Sequence, residues 1–110
     1  MPLTSKQLQA SQKMIKQMAE VINKQSHCCA MMSDPTRIKL LLAIKQFKEL
    51  SVSEIAKILQ ITVSAVSHQL KNLEIFGAIN KRKKGQQVFY SLNRQSPVVQ
   101  CLYNFQKQRL

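Results

Sequence analysis

Residues 51–91 read SVSEIAKILQITVSAVSHQLKNLEIFGAINKRKKGQQVFYS, and that order leaves few folds open. Two short helical patterns meet at a tight turn, and a basic hairpin pattern with one glycine at its tip follows at once. Ser51 reads as an N-cap, and Glu54 three residues later completes a capping box. The first helix runs to about Leu59 and buries Ile55, Ile58 and Leu59. Gln60-Ile61 turns the chain. Thr62 caps the second helix, which runs to about Phe76 with Val66, Leu70 and Leu73 inward at spacings of four and three. Gly77 is a natural helix stop. Ala78 to Arg82 and Gln87 to Leu92 alternate as two antiparallel strands, with Lys83-Lys84-Gly85-Gln86 as the turn.

The flanks are helical too. Over 5–25, Leu8, Ser11, Met14 (or Ile15), Met18, Val21 and Ile22 recur at helical spacing, opposite Lys6, Lys13, Lys16 and Lys24. That stripe packs either on the chain's own core or on a partner's matching helix. His27 to Met32 is a soft apolar stretch. Ser33-Asp34-Pro35 opens another helix, with Asp34 as N-cap and Pro35 at the first position. Thr36 to Phe47 follows, with Ile38, Leu41, Leu42 and Ile44 inward, and Glu49-Leu50 closes the connection. Ser96-Pro97 starts a last helix to about Arg109, with Val98, Cys101, Leu102 and Phe105 on one stripe. No repeat, low-complexity tract or linker divides the 110 residues, so one domain spans 1–110. The expected fold is mainly α, with about five or six helices and a two-stranded hairpin. The units are 51–76 for the helix pair, 78–92 for the hairpin, and 5–25 with 97–109 for pairing. So short a chain buries a modest core, which favours pairing with a second copy.

Charge points to a partner. Seventeen Lys and Arg face five Asp and Glu, a net charge of +12, and no acid follows Glu74. Lys81, Arg82, Lys83, Lys84, Arg94, Lys107 and Arg109 all lie in that acid-free tail. A merely solubilising surface carries both signs; this excess favours a polyanion. The apolar fraction of 45% is too high for a disordered chain, and no run of 18 apolar residues marks a membrane span. The start, MPLTSKQLQASQKMIKQ, lacks an apolar signal core, so a cytoplasmic location is the default expectation.

A helix that reads a DNA groove needs a buried face to fix it and an outer face of short polar groups. The segment from Thr62 to Lys71 has both. Ser64, Ser67 and His68 project outward, and Ala65 allows close approach to a duplex. Thr62 caps the helix beside a phosphate, and Gln69 and Lys71 flank the reading face. An ordinary amphipathic surface helix would look similar. The hairpin decides between them, because Arg82, Lys83 and Lys84 sit directly after that helix, where a ribbon of cations meets phosphates.

Four segments in order carry a family resemblance: Met32-Ser33-Asp34-Pro35-Thr36-Arg37-Ile38-Lys39-Leu40-Leu41, Glu49-Leu50-Ser51-Val52-Ser53-Glu54-Ile55, Val66-Ser67-His68-Gln69-Leu70-Lys71-Asn72-Leu73, and Gly85-Gln86-Gln87-Val88-Phe89-Tyr90-Ser91-Leu92. Over roughly 28–92 the chain resembles the ArsR/SmtB family of winged helix-turn-helix repressors. The resemblance implies a homodimer built from the first and last helices. It also implies binding to an imperfect inverted repeat in duplex DNA, and release by an inducer whose identity the sequence leaves open.

Many members of that family hold metal through Cys-Val-Cys before the reading helix. Here that stretch is Ser51-Val52-Ser53, whose hydroxyls are poor ligands for soft metals. Others use Asp and His on the last helix, and 97–110 holds neither. No metal and no cofactor is expected. Three cysteines remain, Cys28, Cys29 and Cys101, with His27 beside the first pair. An odd number speaks against a structural disulfide framework. Buried free thiols are the first reading. A thiol switch is the second, and a soft-metal or arsenical site with His27 as fourth ligand is the third. Adjacent cysteines bridge each other poorly, so any bond joins Cys101 to Cys28 or Cys29. Relatives that sense persulfide place their first cysteine at a position resembling Leu42, which departs from this chain. The Met14, Met18, Met31 and Met32 set reads as packing.

No nucleophile with a paired base, carboxylate pair or glycine-rich phosphate loop is present, so no enzyme is expected. The reading is a DNA-binding repressor. Its alternatives are a winged-helix module that docks an acidic protein, or a constitutive regulator that senses neither thiol chemistry nor metal.

Overall fold

The computed structural model describes residues 3–107, apart from the side chains at 27, 31, 32 and 105–107. Six helices and three strands follow in order: α1 Ser5–Gln17, α2 Ala19–Met32, α3 Pro35–Phe47, β1 Glu49–Ser51, α4 Val52–Leu59, α5 Val63–Ile75, β2 Ile79–Lys84, β3 Gln87–Leu92 and α6 Pro97–Lys107. None of these helices is long and apolar enough to cross a membrane. The readings that involve His27, Met31, Met32, Phe105, Lys107 and Arg109 lie outside the described residues.

Local chemistry sets the boundaries. Asp34 accepts from the Thr36 and Arg37 amides at 3.0 and 3.3 Å, with Pro35 in the first turn of α3. Ser51 and Glu54 form the reciprocal capping box of α4. Thr62 Oγ1 accepts from the Ala65 amide at 3.1 Å and starts α5. Gly77, at φ 68°, ends it in the left-handed region that glycine adopts without strain.

The core lies where α3, α4, α5, α6 and the sheet meet. Leu40, Leu41, Ile44, Ile55, Val66, Leu70, Leu73, Val98, Val99 and Leu102 are essentially inaccessible there. Ile58, expected to be buried, is 45% exposed. It sits three residues after Ile55, on the flank of the eight-residue α4, where a neighbouring hollow with Phe47 and Lys57 stays open.

Three expectations need correction. The single helix over 5–25 is two helices: α1 ends at a cap on Met18, and α2 runs on through the apolar 27–32 stretch. Glu49-Leu50 is more than a connection. It belongs to β1, which pairs antiparallel with β3 (Glu49 with Ser91, Leu50 with Tyr90) in a sheet ordered β1-β3-β2. The hairpin turn is shorter than expected: Lys83 and Lys84 are strand residues opposite Val88 and Gln87. The two-residue turn puts Gly85 at φ 64°, the positive angle that a tight hairpin needs at its first central position.

Chain ends and core differ sharply in burial. Along α1 nothing is buried, and Leu8, Met14, Ile15, Met18, Val21 and Ile22 are 43–57% exposed. Among the described side chains of α2, Cys28 alone is buried, at 8% exposure. It is joined by a disulfide to Cys101 of α6, with the Cα atoms 5.9 Å apart. The expectation of unpaired thiols is therefore corrected for two of the three cysteines. Cys29 is free and exposed.

Candidate nucleic-acid interface

Val66, Leu70 and Leu73 seat α5 on the core, which leaves the opposite face to solvent. Ser64, Ala65, Ser67, His68 and Lys71 are all exposed there, on consecutive helical turns. Thr62 is exposed at the helix start, with its hydroxyl engaged by the cap. Ser67, His68 and Lys71 line one wall of a hollow of about 300 Å³, with Glu74 and with Tyr90 of β3. The helix face and the sheet therefore form one concave surface.

Gln69 does something else. Its amide nitrogen donates to Asp34 Oδ2 at 2.9 Å, and its oxygen accepts from Arg37 Nε at 3.3 Å. Both ends of the amide are turned inward, so Gln69 braces α5 against the start of α3 and leaves the outer face to its neighbours. Arg37 extends the brace: its guanidinium donates to the Ala30 carbonyl at 3.2 Å and lies 5.8 Å from the Phe76 ring centroid. Asp34 and Arg37 were legible as a helix start and not as a clamp. Thirty-two to thirty-five residues separate them from Gln69, and no local pattern encodes that meeting.

The clamp has a pH signature. The Gln69 amide donor, with the Arg37 and Thr36 amides and the Arg37 charge, holds the Asp34 carboxyl below its ordinary 3.8. A carboxylate whose folded value is depressed adds stability above its unfolded pKa and loses it as pH falls through the folded value. Stability should therefore fall when the solution is taken below pH 3.8. Asp34→Ala should cost about 1 kcal/mol for the lost cap. Asp34→Asn keeps a capping oxygen, so it should cost less while removing the acid sensitivity. Denaturant melts at pH 7 and pH 3 check both, and an Asn variant with the parent's pH profile would remove Asp34 from the account.

On the hairpin, alternate residues face opposite sides of the sheet. Arg82 is tied down: its guanidinium pairs with the Glu49 carboxylate on β1 and lies 5.6 Å from the Phe89 ring. The pairing lowers the Glu49 carboxyl and raises the Arg82 guanidinium from their ordinary values. Lys81 meets Glu74 of α5 at 3.3 Å, which joins hairpin to helix. Lys83 and Lys84 stand exposed at the far end of β2. Arg82 thus fixes the ribbon to β1, and the two lysines carry its forward charge.

Helix pair, three-stranded sheet and projecting basic hairpin together define a winged helix. Residues 34–81 match the model of the arsR family of bacterial regulatory proteins. The fold aligns with reduced HlyU from Vibrio cholerae N16961 at a TM-score of 0.72 and 26% identity, covering 86% of this chain and 99% of that one. NolR from Sinorhizobium fredii aligns at 0.68 and 21%, covering 97% and 94%. The transcriptional repressor PagR of Bacillus anthracis aligns at 0.66 and 22%, covering 79% and 98%. Over residues 34–81 the chain is similar to the arsR family of bacterial regulatory proteins.

Proposed function

We propose that this protein is a DNA-binding transcriptional regulator that acts as a homodimeric repressor on an inverted-repeat operator. The observation that carries the reading is the exposed Ser64-Ala65-Ser67-His68 face of α5, seated on a buried stripe beside a cationic hairpin. Ser64, Ser67 and His68 present hydroxyls and an imidazole to base edges in the major groove, and Ala65 lets the helix approach. Thr62 and Lys71 flank that face. Lys83 and Lys84 meet the neighbouring phosphates, and Arg82 holds the ribbon at the right height. The surplus of cations over the whole chain adds long-range attraction.

The uncovered apolar stripe of α1 and early α2 supports the dimer. A monomer that left Leu8, Met14, Ile15, Met18, Val21 and Ile22 in water would expose a contiguous patch, and patches of that kind mark association surfaces. Two copies packed through this arm and α6 would place two α5 helices for successive major grooves.

The Cys28–Cys101 bond favours a thiol switch as the input. It pins the arm that carries the pairing stripe to α6, so making or breaking it changes how the two protomers meet. HlyU from Vibrio cholerae, whose fold this chain resembles, is known in a reduced form.

Lys83→Gln together with Lys84→Gln should flatten the dependence of operator affinity on salt. Each lost phosphate contact lowers the slope of log K against log salt by about 0.9, so a dimer losing four should lose roughly 3.6. The parent's complex should also survive excess random duplex. An unchanged slope removes these lysines from the backbone contacts. Complete competition by random DNA favours a module that docks an acidic protein.

A further inference from the structure

Arg37 stands between the disulfide and the reading helix. Its side chain is 13% exposed and belongs to the first turn of α3. Toward α2, Nη1 donates to the Ala30 carbonyl at 3.2 Å, an oxygen that also accepts from the Ser33 hydroxyl at 2.8 Å. Toward α5, Nε donates to Gln69 Oε1 at 3.3 Å, and the guanidinium lies 5.8 Å from the Phe76 ring centroid. Gln69 and Phe76 are seven residues apart, about two helical turns, so they share one side of α5. Nη2 is 3.8 Å from Asp34 Oδ2, which Gln69 Nε2 also reaches at 2.9 Å. One side chain therefore touches α2, the cap of α3 and two turns of α5.

The guanidinium makes these contacts interdependent. Its N–H donors lie in one rigid plane, so the bonds to Ala30 and Gln69 cannot be reoriented separately. If the Ala30 carbonyl withdraws, an N–H of a mostly buried cation loses its acceptor, and leaving such a donor unmade costs more than the bond contributes. The plane then turns toward another acceptor, and the bond to Gln69, already long at 3.3 Å, is the one that yields. Ala30 is placed by the disulfide. It lies two residues, about 3 Å along the axis of α2, beyond Cys28, the buried residue bonded to Cys101 of α6. Opening that bond takes two electrons and two protons from a dithiol, which leaves as its own disulfide, and removes the covalent tie between α2 and α6.

We propose that Arg37 is a positioning residue for α5, and that it carries the state of the Cys28–Cys101 bond to the reading face through the Ala30 carbonyl and Gln69. With the bond closed, Ala30 is held against the guanidinium and the clamp is complete. With it open, Ala30 withdraws, and α5 keeps its buried stripe but loses part of its lateral brace. Ser64, Ser67 and His68 ride on the same helix as Gln69, so the change alters how they meet base edges. The inference rests on the DNA-reading and thiol-switch readings above. It adds a route within one protomer to the route through pairing.

A duplex carrying a single half-site of a selected operator takes pairing out of the measurement. On it, the parent's ratio of half-site to random-duplex affinity should fall about threefold when dithiothreitol opens the bond, near the low end of the coupling that packed networks carry. Arg37→Lys keeps a charge beside Asp34 and has no fork, so it should give one ratio in both states, near that of the reduced parent. Its urea midpoint should still fall with reductant, which shows that the bond forms in the variant. An Arg37→Lys ratio that still answers to dithiothreitol overturns the route through Arg37 and leaves the thiol switch standing. A parent that responds on the full operator and not on the half-site also overturns it, and assigns the switch to pairing alone. A parent that responds on neither overturns the switch and this route with it. Hydrogen exchange on the unaltered chain decides the matter if the variant fails to fold or no operator can be selected. Reduction should speed exchange in α5 more than in α4, and an equal change in the two helices overturns the proposal.

Discussion

Reduction of the Cys28–Cys101 disulfide should lower the stability of the chain by about 4 kcal/mol, because the bond closes a loop between residues 73 apart and loop-closure entropy grows with the logarithm of that length. Urea midpoints with and without reductant measure it, and Cys101→Ser should reproduce the reduced value without any reagent. Cys29→Ser should match the parent, since Cys29 is free and exposed. The functional consequence follows from where the bond sits. Val98, Val99 and Leu102 keep α6 on the core in either state, whereas Cys28 is the one buried residue among the described side chains of α2. Breaking the bond therefore releases the α1–α2 arm and leaves the reading helix seated. Oxidised and reduced protein should differ about tenfold in operator affinity, with the reduced form weaker because its pairing arm is freed, a coupling within the usual range for linked sites. Cys28→Ser should bind alike under both conditions. Equal affinity in the two states would separate the bond from regulation and leave it a structural staple.

How much of this was readable beforehand depended on how local each determinant is. Ser51 with Glu54, Thr62 and Asp34 with Pro35 announce helix starts within four residues, and each start falls where those residues place it. Val66, Leu70 and Leu73 carry their burial in their own spacing. What stayed hidden was non-local. The pairing of Glu49-Leu50 with β3 is forty residues removed in sequence, and a three-residue strand has too few alternations to show a period. Gln69 looked like any polar residue on a helix flank until Asp34 and Arg37 arrived beside it. Arg82 belonged to a basic run, and only the fold shows that Glu49 restrains it while Lys83 and Lys84 remain forward. The break at Met18 had no signal either: neither glycine nor proline marks it, and the apolar period continues across it.

The cysteines show the same limit. Their number argued against a disulfide, and their neighbourhood in sequence left the partner of Cys101 open between two residues. Helix geometry decides it. Residues 28 and 29 point about 100° apart on α2, so at most one of them can face α6. The buried one is Cys28.

Replacing Ser67 and His68 together by Ala should then give the largest loss of function of any surface change. Each contact to a base edge is worth about 1 kcal/mol at the low end, and a homodimer loses each one twice, so operator binding should weaken by roughly 4 kcal/mol, about a thousandfold. Binding to random duplex rests on phosphates and should change only a few-fold. Fold is not at stake, because both side chains are exposed while Val66, Leu70 and Leu73 hold the helix. Ala also favours the helical state. An operator selected from a randomised pool with the parent protein, then titrated with the variant beside random DNA of equal length, makes the measurement. Equal losses on the two duplexes would mean that these residues contact backbone, and sequence would have to be read elsewhere on α5, from Ser64 and Ala65. A matching result for Gln69→Ala would point to the clamp instead: removing its ties to Asp34 and Arg37 should lower stability as well as affinity, whereas Ser67→Ala with His68→Ala should lower affinity alone. Comparing the melting curves of the two variants separates a residue that reads the groove from one that only aims the helix that does.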